Sequence, residues 1–182
     1  MIEMRFHGRG GQGAVTSAEL VAQAAIDTGK YATAFPSFGP ERRGAPVVAF
    51  ARVDDEPIRL RSKVYNPDVV VVLDPSLLEI ANPTEGIRED GVLIINSSQQ
   101  PEVIRKQLAY SGKIALVDAS LIAREVLGLP ITNTTMVGAL LKGADLLSVE
   151  SLEGPFNRRF GKIAARNIQA MKRAFDETLV AP

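Results

Sequence analysis

The chain has 182 residues, with 21 Lys and Arg balanced by 21 Asp and Glu, a single His, and neither Cys nor Trp. That length suits one domain whose core needs no staples, and the missing cysteines exclude a disulfide scaffold, a thiolate zinc site, a Cys nucleophile and a cysteine-ligated iron–sulfur cluster within it. A lone His excludes a multi-histidine metal centre, and zero net charge argues against nucleic acid or an anionic membrane as the main partner.

Taken in chain order, apolar runs alternate with amphipathic stretches, the pattern of an α/β domain with a mostly parallel sheet. Ile2 to Phe6 is a predicted first strand, without the basic and long apolar regions of a secretion leader. Ala14 to Asp27 has Val15, Ala18, Val21, Ala22 and Ala25 at helical spacing, with Gly29 as its stop. Tyr31 to Phe35 is a second strand ended by Pro36. Val47 to Val53 and Ile58 to Leu60 flank Asp54-Asp55-Glu56-Pro57, a link too short for a crossover helix, and therefore predict an inserted β-hairpin. Val69 to Leu73 lacks polar alternation, as a strand buried on both faces does. It is also far too short to span a bilayer, so no membrane association and a cytoplasmic location are expected.

Val92 to Ile95 and Ile114 to Val117 are two further strands, separated by a helix near Glu102 to Leu108. Ser120 to Leu127 and Met136 to Leu147 read as helices. The C-terminal segment carries Phe160, Ala164, Ile168, Met171 and Phe175 on one helical face and Arg159, Lys162, Arg166 and Arg173 on a solvated one. The expected architecture is a single Rossmann-like domain over 1–182, with helices on both faces of the sheet.

The strongest local signal is Gly8-Arg9-Gly10-Gly11-Gln12-Gly13, a G-x-G-x-x-G pattern between the first strand and first helix. Glycines there let the backbone turn tightly and approach a phosphate, and the N–H groups of the helix start then face the anion. Close strand–helix packing, or a contact between subunits, would use the same glycines. A nicotinamide dinucleotide fits less well, because that use of the fold needs an acid at the end of the second strand. This strand ends Phe35-Pro36-Ser37-Phe38-Gly39-Pro40 instead.

The segment Pro36 to Gly44 holds two prolines and two glycines, which shape its loop. In a parallel sheet it leaves the same carboxyl edge as the glycine loop, from a strand expected to be adjacent. Arg9, Arg42 and Arg43 are thereby candidates to converge on one crevice, where their planar forks suit phosphate or carboxylate. Salt bridges of Glu41 and these arginines at a subunit interface are the competing reading. His7 is a candidate base or a structural residue. Asp74 and Asp118 follow buried strands and are expected to be helix caps. Asn133, before a helix containing Gly138, is either a cap or a polar contact at a ligand or partner surface. No nucleophile–base pair and no paired carboxylates stand at a recognisable spacing, so no catalytic residue is assigned.

Together, His-Gly-Arg-Gly-Gly-Gln-Gly at 7–13, Phe-Pro-Ser-Phe-Gly-Pro-Glu-Arg-Arg-Gly at 35–44, Asn-Pro-Asp with its valine run at 66–72, and Asn133 with Met136-Val137-Gly138-Ala139 resemble the gamma subunits of pyruvate:ferredoxin oxidoreductase and the wider 2-oxoacid:acceptor oxidoreductase gamma family. The glycine loop is shared across that family, and the arginine loop is more specific to its pyruvate and 2-oxoisovalerate members. The resemblance implies one part of a complex with alpha, beta and delta subunits that decarboxylates a 2-oxoacid on thiamine diphosphate with Mg2+. Electrons would pass through 4Fe–4S clusters to ferredoxin, and the acyl group to coenzyme A. Those cofactors would sit on other subunits. It further implies a coenzyme A phosphate against Gly8, Arg9, Gly10, Gly11, Gln12 and Gly13, with help from Arg42, Arg43 and Asn133. The alternatives are a subunit acting on 2-oxoisovalerate or another 2-oxoacid, a freestanding nucleotide- or coenzyme A-binding module, and a small dehydrogenase weakened by the missing ribose acid.

Overall fold

A computed structural model of the chain describes residues 1–37 and 43–182. Seven strands form one sheet: β1 (Ile2–Arg9), β2 (Tyr31–Pro36), β3 (Pro46–Asp54), β4 (Val69–Val72), β5 (Val92–Asn96), β6 (Lys113–Val117) and β7 (Leu179–Ala181). Their order is β2-β3-β1-β4-β5-β6-β7. β1, β4, β5 and β6 run parallel, while β3 is antiparallel to both its neighbours and β7 is antiparallel to β6. The helices are α1 (Ala14–Asp27), α2 (Leu77–Ile80), α3 (Pro101–Leu108), α4 (Ala119–Leu127), α5 (Asn133–Ala144), α6 (Glu153–Phe160) and α7 (Ala164–Glu177).

The two faces of the sheet carry separate cores, as period-2 alternation requires. On the first face Met4, Phe6, Val69, Val71, Ile94 and Val117 share one core with α1 and α5, behind which α4 and α7 complete the layer. On the second, Val70, Val72, Leu93, Ile95, Ile114 and Leu116 meet Leu77 and Leu78 of α2 and Ile104 of α3. Helix α5 lies between the sheet and α7, and nearly all of its residues are buried. That is why its sequence shows apolar residues on every side rather than one stripe.

The predicted helix over 14–27 and the four parallel strands stand where the periodicity put them, with ends moved by a residue or so; β1 runs on through Gly8 and Arg9. The inserted hairpin is different. Ile58 to Leu60 form no strand, and the antiparallel partners of β3 are β1 and β2. Both edges of β3 are thereby occupied, so no edge remains for the segment after Asp54. Residues 55–68 instead run past the amino end of β1, because β3 ends beside Ile2 and β4 begins beside Met4. For the same reason the strand before the arginine loop is not adjacent to β1. It does point the same way, since two antiparallel pairings restore the direction, so its carboxyl end lies on the expected edge. At the C-terminus Gly161 divides the long predicted helical segment into α6 and α7, and Arg173 on its outer face pairs with Glu125 and Glu177.

Candidate functional site at the carboxyl edge

The glycine loop follows β1, and the connection that follows β4 lies beside it at the same edge. From β1 the chain goes through α1 toward β2, while β4 lies on the other side, so the crevice between β1 and β4 is a topological switch point, where open α/β sheets place their ligands. The loop is folded by its own polar atoms. The Gly10 N–H donates to Ala45 C=O at 2.8 Å, the Gly44 N–H to Gly10 C=O at 3.1 Å, and the Gln12 N–H to Arg9 C=O at 2.9 Å. Gly11 and Gly13 sit at φ 91° and 84°, where a side chain would be strained. Gly8 lies in the strand, where a Cβ would come within 3.1 Å of Ala14 Cβ.

Among the described residues, the N–H groups of Gly11, Gly13, Ala14, Val15 and Thr16 have no protein acceptor, and no side chain caps α1. The first turn holds no acid either. This row of donors at a positive helix end can receive an anion.

Arg9 and Gln12 face the other way. Arg9 Nη1 donates to Gly44 C=O at 3.0 Å, its Nη2 to Ser76 Oγ at 2.7 Å, and its Nε lies 3.3 Å from Asp74 Oδ2. Gln12 Oε1 accepts the Arg9 N–H at 2.7 Å, and its Nε2 donates to Asp74 Oδ2 at 2.6 Å. These two side chains bolt the loop to the β4–α2 connection. Burial works against the ionisation of Asp74, but hydrogen bonds from Ser76 and Gln12 and the Arg9 charge prevail and hold it below the usual carboxylate range. Asp74 is thus a lock as well as the acceptor for the Ser76 N–H at 2.9 Å. Asp118 is the N-cap of α4, accepting the Leu121 N–H at 2.8 Å. Arg43 is exposed next to Gly44, whose N–H holds Gly10. Arg42 lies outside the described residues.

Asn133 is the nearest approach to the loop from the far side. A Cβ on Gly13 would stand 2.4 Å from its Nδ2, and its carbonyl accepts from Ser17 Oγ at 3.2 Å. The same residue begins a mostly apolar cleft of about 230 Å³ lined by Leu127, Leu129, Ile131, Ile163 and Arg166. The structure therefore brings Asn133 to Gly13, although 120 residues separate them in sequence. Sequence reading overlooked Ser76 and Asn96. Asn96 Nδ2 ties Leu73 C=O to Ser120 Oγ, each at 2.9 Å, which fixes the strand ends behind the crevice. An Asp-x-Ser directly after a buried valine run was the available signal for the first, and the terminal polar residue of a buried strand for the second.

His7 points to the second face, away from the helix start, and is 6 % exposed. Burial, reinforced by the Arg5 charge beside it, pushes its imidazole down to about 4, so it is neutral at pH 7. The unfolded chain therefore takes up this proton first as pH falls from 6.5, and the associated stability, full above 6.5, is lost toward pH 4. A difference of that size corresponds to about 3 kcal/mol. We expect His7→Gln to flatten the pH dependence of the urea midpoint between pH 7 and 4, whatever its effect on the midpoint itself. Parallel curves for the two proteins would refute the assignment.

The fold and this site define a class: a Rossmann-like α/β domain whose carboxyl edge presents a row of backbone N–H donors at a helix start. Among the described residues, no group of three or more His, Cys, Asp or Glu side chains could hold a metal ion, and no helix is long and apolar enough to cross a membrane. The family model for pyruvate ferredoxin/flavodoxin oxidoreductase matches residues 3–177, and the chain belongs to that family. It is 53% identical to the pyruvate/ketoisovalerate oxidoreductases common subunit gamma of Pyrococcus abyssi, over 99% of this chain and 98% of the relative. It is 49% identical to the pyruvate synthase subunit PorC of Methanothermobacter thermautotrophicus, over 97% and 96%. The crystal structure of the pyruvate oxidoreductase subunit PORC from Thermotoga maritima superposes with a TM-score of 0.90 at 39% identity, over 100% of this chain and 98% of that one.

Proposed function

We propose that this chain is the gamma subunit of a cytoplasmic 2-oxoacid:ferredoxin oxidoreductase, with pyruvate as the first-choice substrate, and that it contributes to the coenzyme A site. The reading is carried by one observation: the open N–H groups of Gly11, Gly13 and Ala14 to Thr16 at the switch point between β1 and β4. Those donors suit a phosphate of coenzyme A. Arg43 adds an exposed positive charge beside them, and the cleft beginning at Asn133 offers apolar surface to the rest of so long a molecule. Relatives named as a common subunit of pyruvate and ketoisovalerate enzymes support a further point, that the keto acid is chosen on another subunit.

Alpha, beta and delta subunits are the partners in this reading. They would carry the thiamine diphosphate with its Mg2+, which would supply the electron sink for decarboxylation, and the 4Fe–4S clusters that would lead to ferredoxin. The residues of this chain act earlier and later than that chemistry: they hold the acyl acceptor. Gly10 and Gly13 let the backbone reach the phosphate, while Arg9, Gln12, Asp74 and Ser76 keep the loop from collapsing onto its own donors.

Arg43→Ala in the assembled enzyme should raise KM for coenzyme A about tenfold, equivalent to about 1.4 kcal/mol, with kcat little changed. Steady-state kinetics with coenzyme A as the varied substrate measures it. An unchanged KM in an intact complex would remove Arg43 from the coenzyme A site and favour a role in subunit contact.

A further inference from the structure

The second face of the sheet changes character at β1. Over β4 and β5 it is apolar and covered by α2 and α3. From β1 outward the register places Glu3, Arg5 and His7 on this face beside Arg52, Phe50 and Val48 of β3. Those residues are closed over only in part, by the irregular segments around 63–65 and 82–87. Arg5 Nη2 donates to Pro83 C=O at 3.0 Å and Glu85 C=O at 2.6 Å.

The charges are incompletely answered. Arg5 is 9 % exposed, yet among the described residues no carboxylate lies within 4 Å of its guanidinium, and its buried Nε has no hydrogen-bond partner. His7 Nε2 is likewise without a partner. Arg52 is paired with Glu3 at 2.8 Å, but its Nη1 is left over, as is Thr33 Oγ1. A buried guanidinium without a counter-charge and buried polar atoms without partners are costly, and they leave this face with uncompensated positive charge.

Arg5 and His7 line an open cleft of about 250 Å³ together with Ser37, Lys63, Tyr65 and Glu85. Its chemistry is that of a carboxylate receptor: Arg5 and Lys63 put two cations on its lining, and among the described residues there a single acid, Glu85, opposes them. Its setting is that of an interface. The cleft is smaller than the roughly 300–1,000 Å³ typical of small-molecule sites. Its rim carries Tyr65, 70 % exposed. An exposed aromatic side chain beside a desolvated centre is what protein interfaces select.

We propose that this cleft is the socket for an Asp or Glu side chain of a partner subunit, docked against the β1–β3 half of the second face. The inference rests on the reading of the chain as a subunit. The carboxylate enters the cleft between Arg5 and Lys63, beside His7, while Tyr65 covers it from solvent. This surface faces away from the helix start of α1, so docking and coenzyme A binding occupy different sides of β1.

The test uses the assembled complex and a carbodiimide, which joins an amine to a carboxylate without a spacer. Lys63 is expected to crosslink to an Asp or Glu of another subunit, identified by peptide mass spectrometry, and amide exchange over 58–66 to slow on assembly. Lys63→Glu, an exposed charge reversal, should weaken association with the other subunits at least about tenfold while leaving thermal unfolding of the free chain unchanged. A complex that forms normally with Lys63→Glu and yields no Lys63 crosslink overturns the socket and leaves the subunit reading standing. A chain that assembles with no other subunit overturns both.

Discussion

Gly13→Ala is expected to destabilise the chain by roughly 2–4 kcal/mol and to raise KM for coenzyme A in the assembled enzyme well beyond the effect of Arg43→Ala. Two separate penalties combine. Gly13 stands at φ 84°, and the left-handed region costs a residue with a Cβ about 1–2 kcal/mol. The added methyl would also stand 2.4 Å from Asn133 Nδ2 and 3.0 Å from its Cβ and Cγ. Rotating the Asn133 amide relieves only the first of these contacts, because the Cβ moves with the backbone of α5. Nor can the loop give way easily, since Gly13 C=O accepts the Ser17 N–H that starts α1. Asn133→Ala in the same chain removes the amide but not the backbone strain. The double variant should therefore recover part of the lost stability, and a cycle of the four proteins by urea denaturation separates the two penalties. Additive losses would show that the methyl and Asn133 do not meet. A Gly13→Ala protein with native stability and native coenzyme A kinetics would remove the anion cradle altogether.

The same loop illustrates what sequence can and cannot report. Gly8 to Gly13 was legible because a glycine pattern between an apolar strand and an amphipathic helix is a local fact, and α1 begins and ends where its periodicity and Gly29 place it. The buried parallel strands were legible for the same reason. What failed was non-local. Val47 to Val53 reads as a strand either way, but which edges it fills depends on β1 and β2, and so the segment over 58–60 was assigned a pairing that β3 had no edge left to offer. The partners of Arg9, Asp74 and Ser76, lie more than 60 residues away, and nothing in its neighbourhood in sequence reveals them. The burial of His7 likewise depends on β3 and on the segments that cross the second face. The three-residue β7 carries too little pattern to be seen without the edge of β6 that it completes.

Gly138→Ala should be the most damaging single methyl in the first-face core, costing about 3 kcal/mol or more. Helix propensity alone predicts the opposite, because alanine is favoured over glycine in a helix by about 1 kcal/mol. The packing decides against it. A Cβ on Gly138 would fall 2.0 Å from Met171 C=O oxygen and 3.0 Å from the Phe175 backbone nitrogen, so α5 and α7 touch here through their main chains. No rotamer change moves a backbone atom. The helices would have to separate, yet α5 is held on its other side by the sheet, where Gly143 lies against Ala115 and Ile94. It is also tied at its N-terminus, where Thr134 Oγ1 donates to Asn167 Oδ1 at 2.8 Å across to α7. Any shift of α5 carries Asn133 with it and so reaches the glycine loop. The expected result is a lowered denaturation midpoint accompanied by a raised KM for coenzyme A, although Gly138 itself touches neither the loop nor the cleft beside it. A midpoint equal to or above that of the unaltered chain would show that α5 and α7 are not in main-chain contact. A lowered midpoint with unchanged coenzyme A kinetics would show instead that α5 can yield without displacing Asn133 from Gly13.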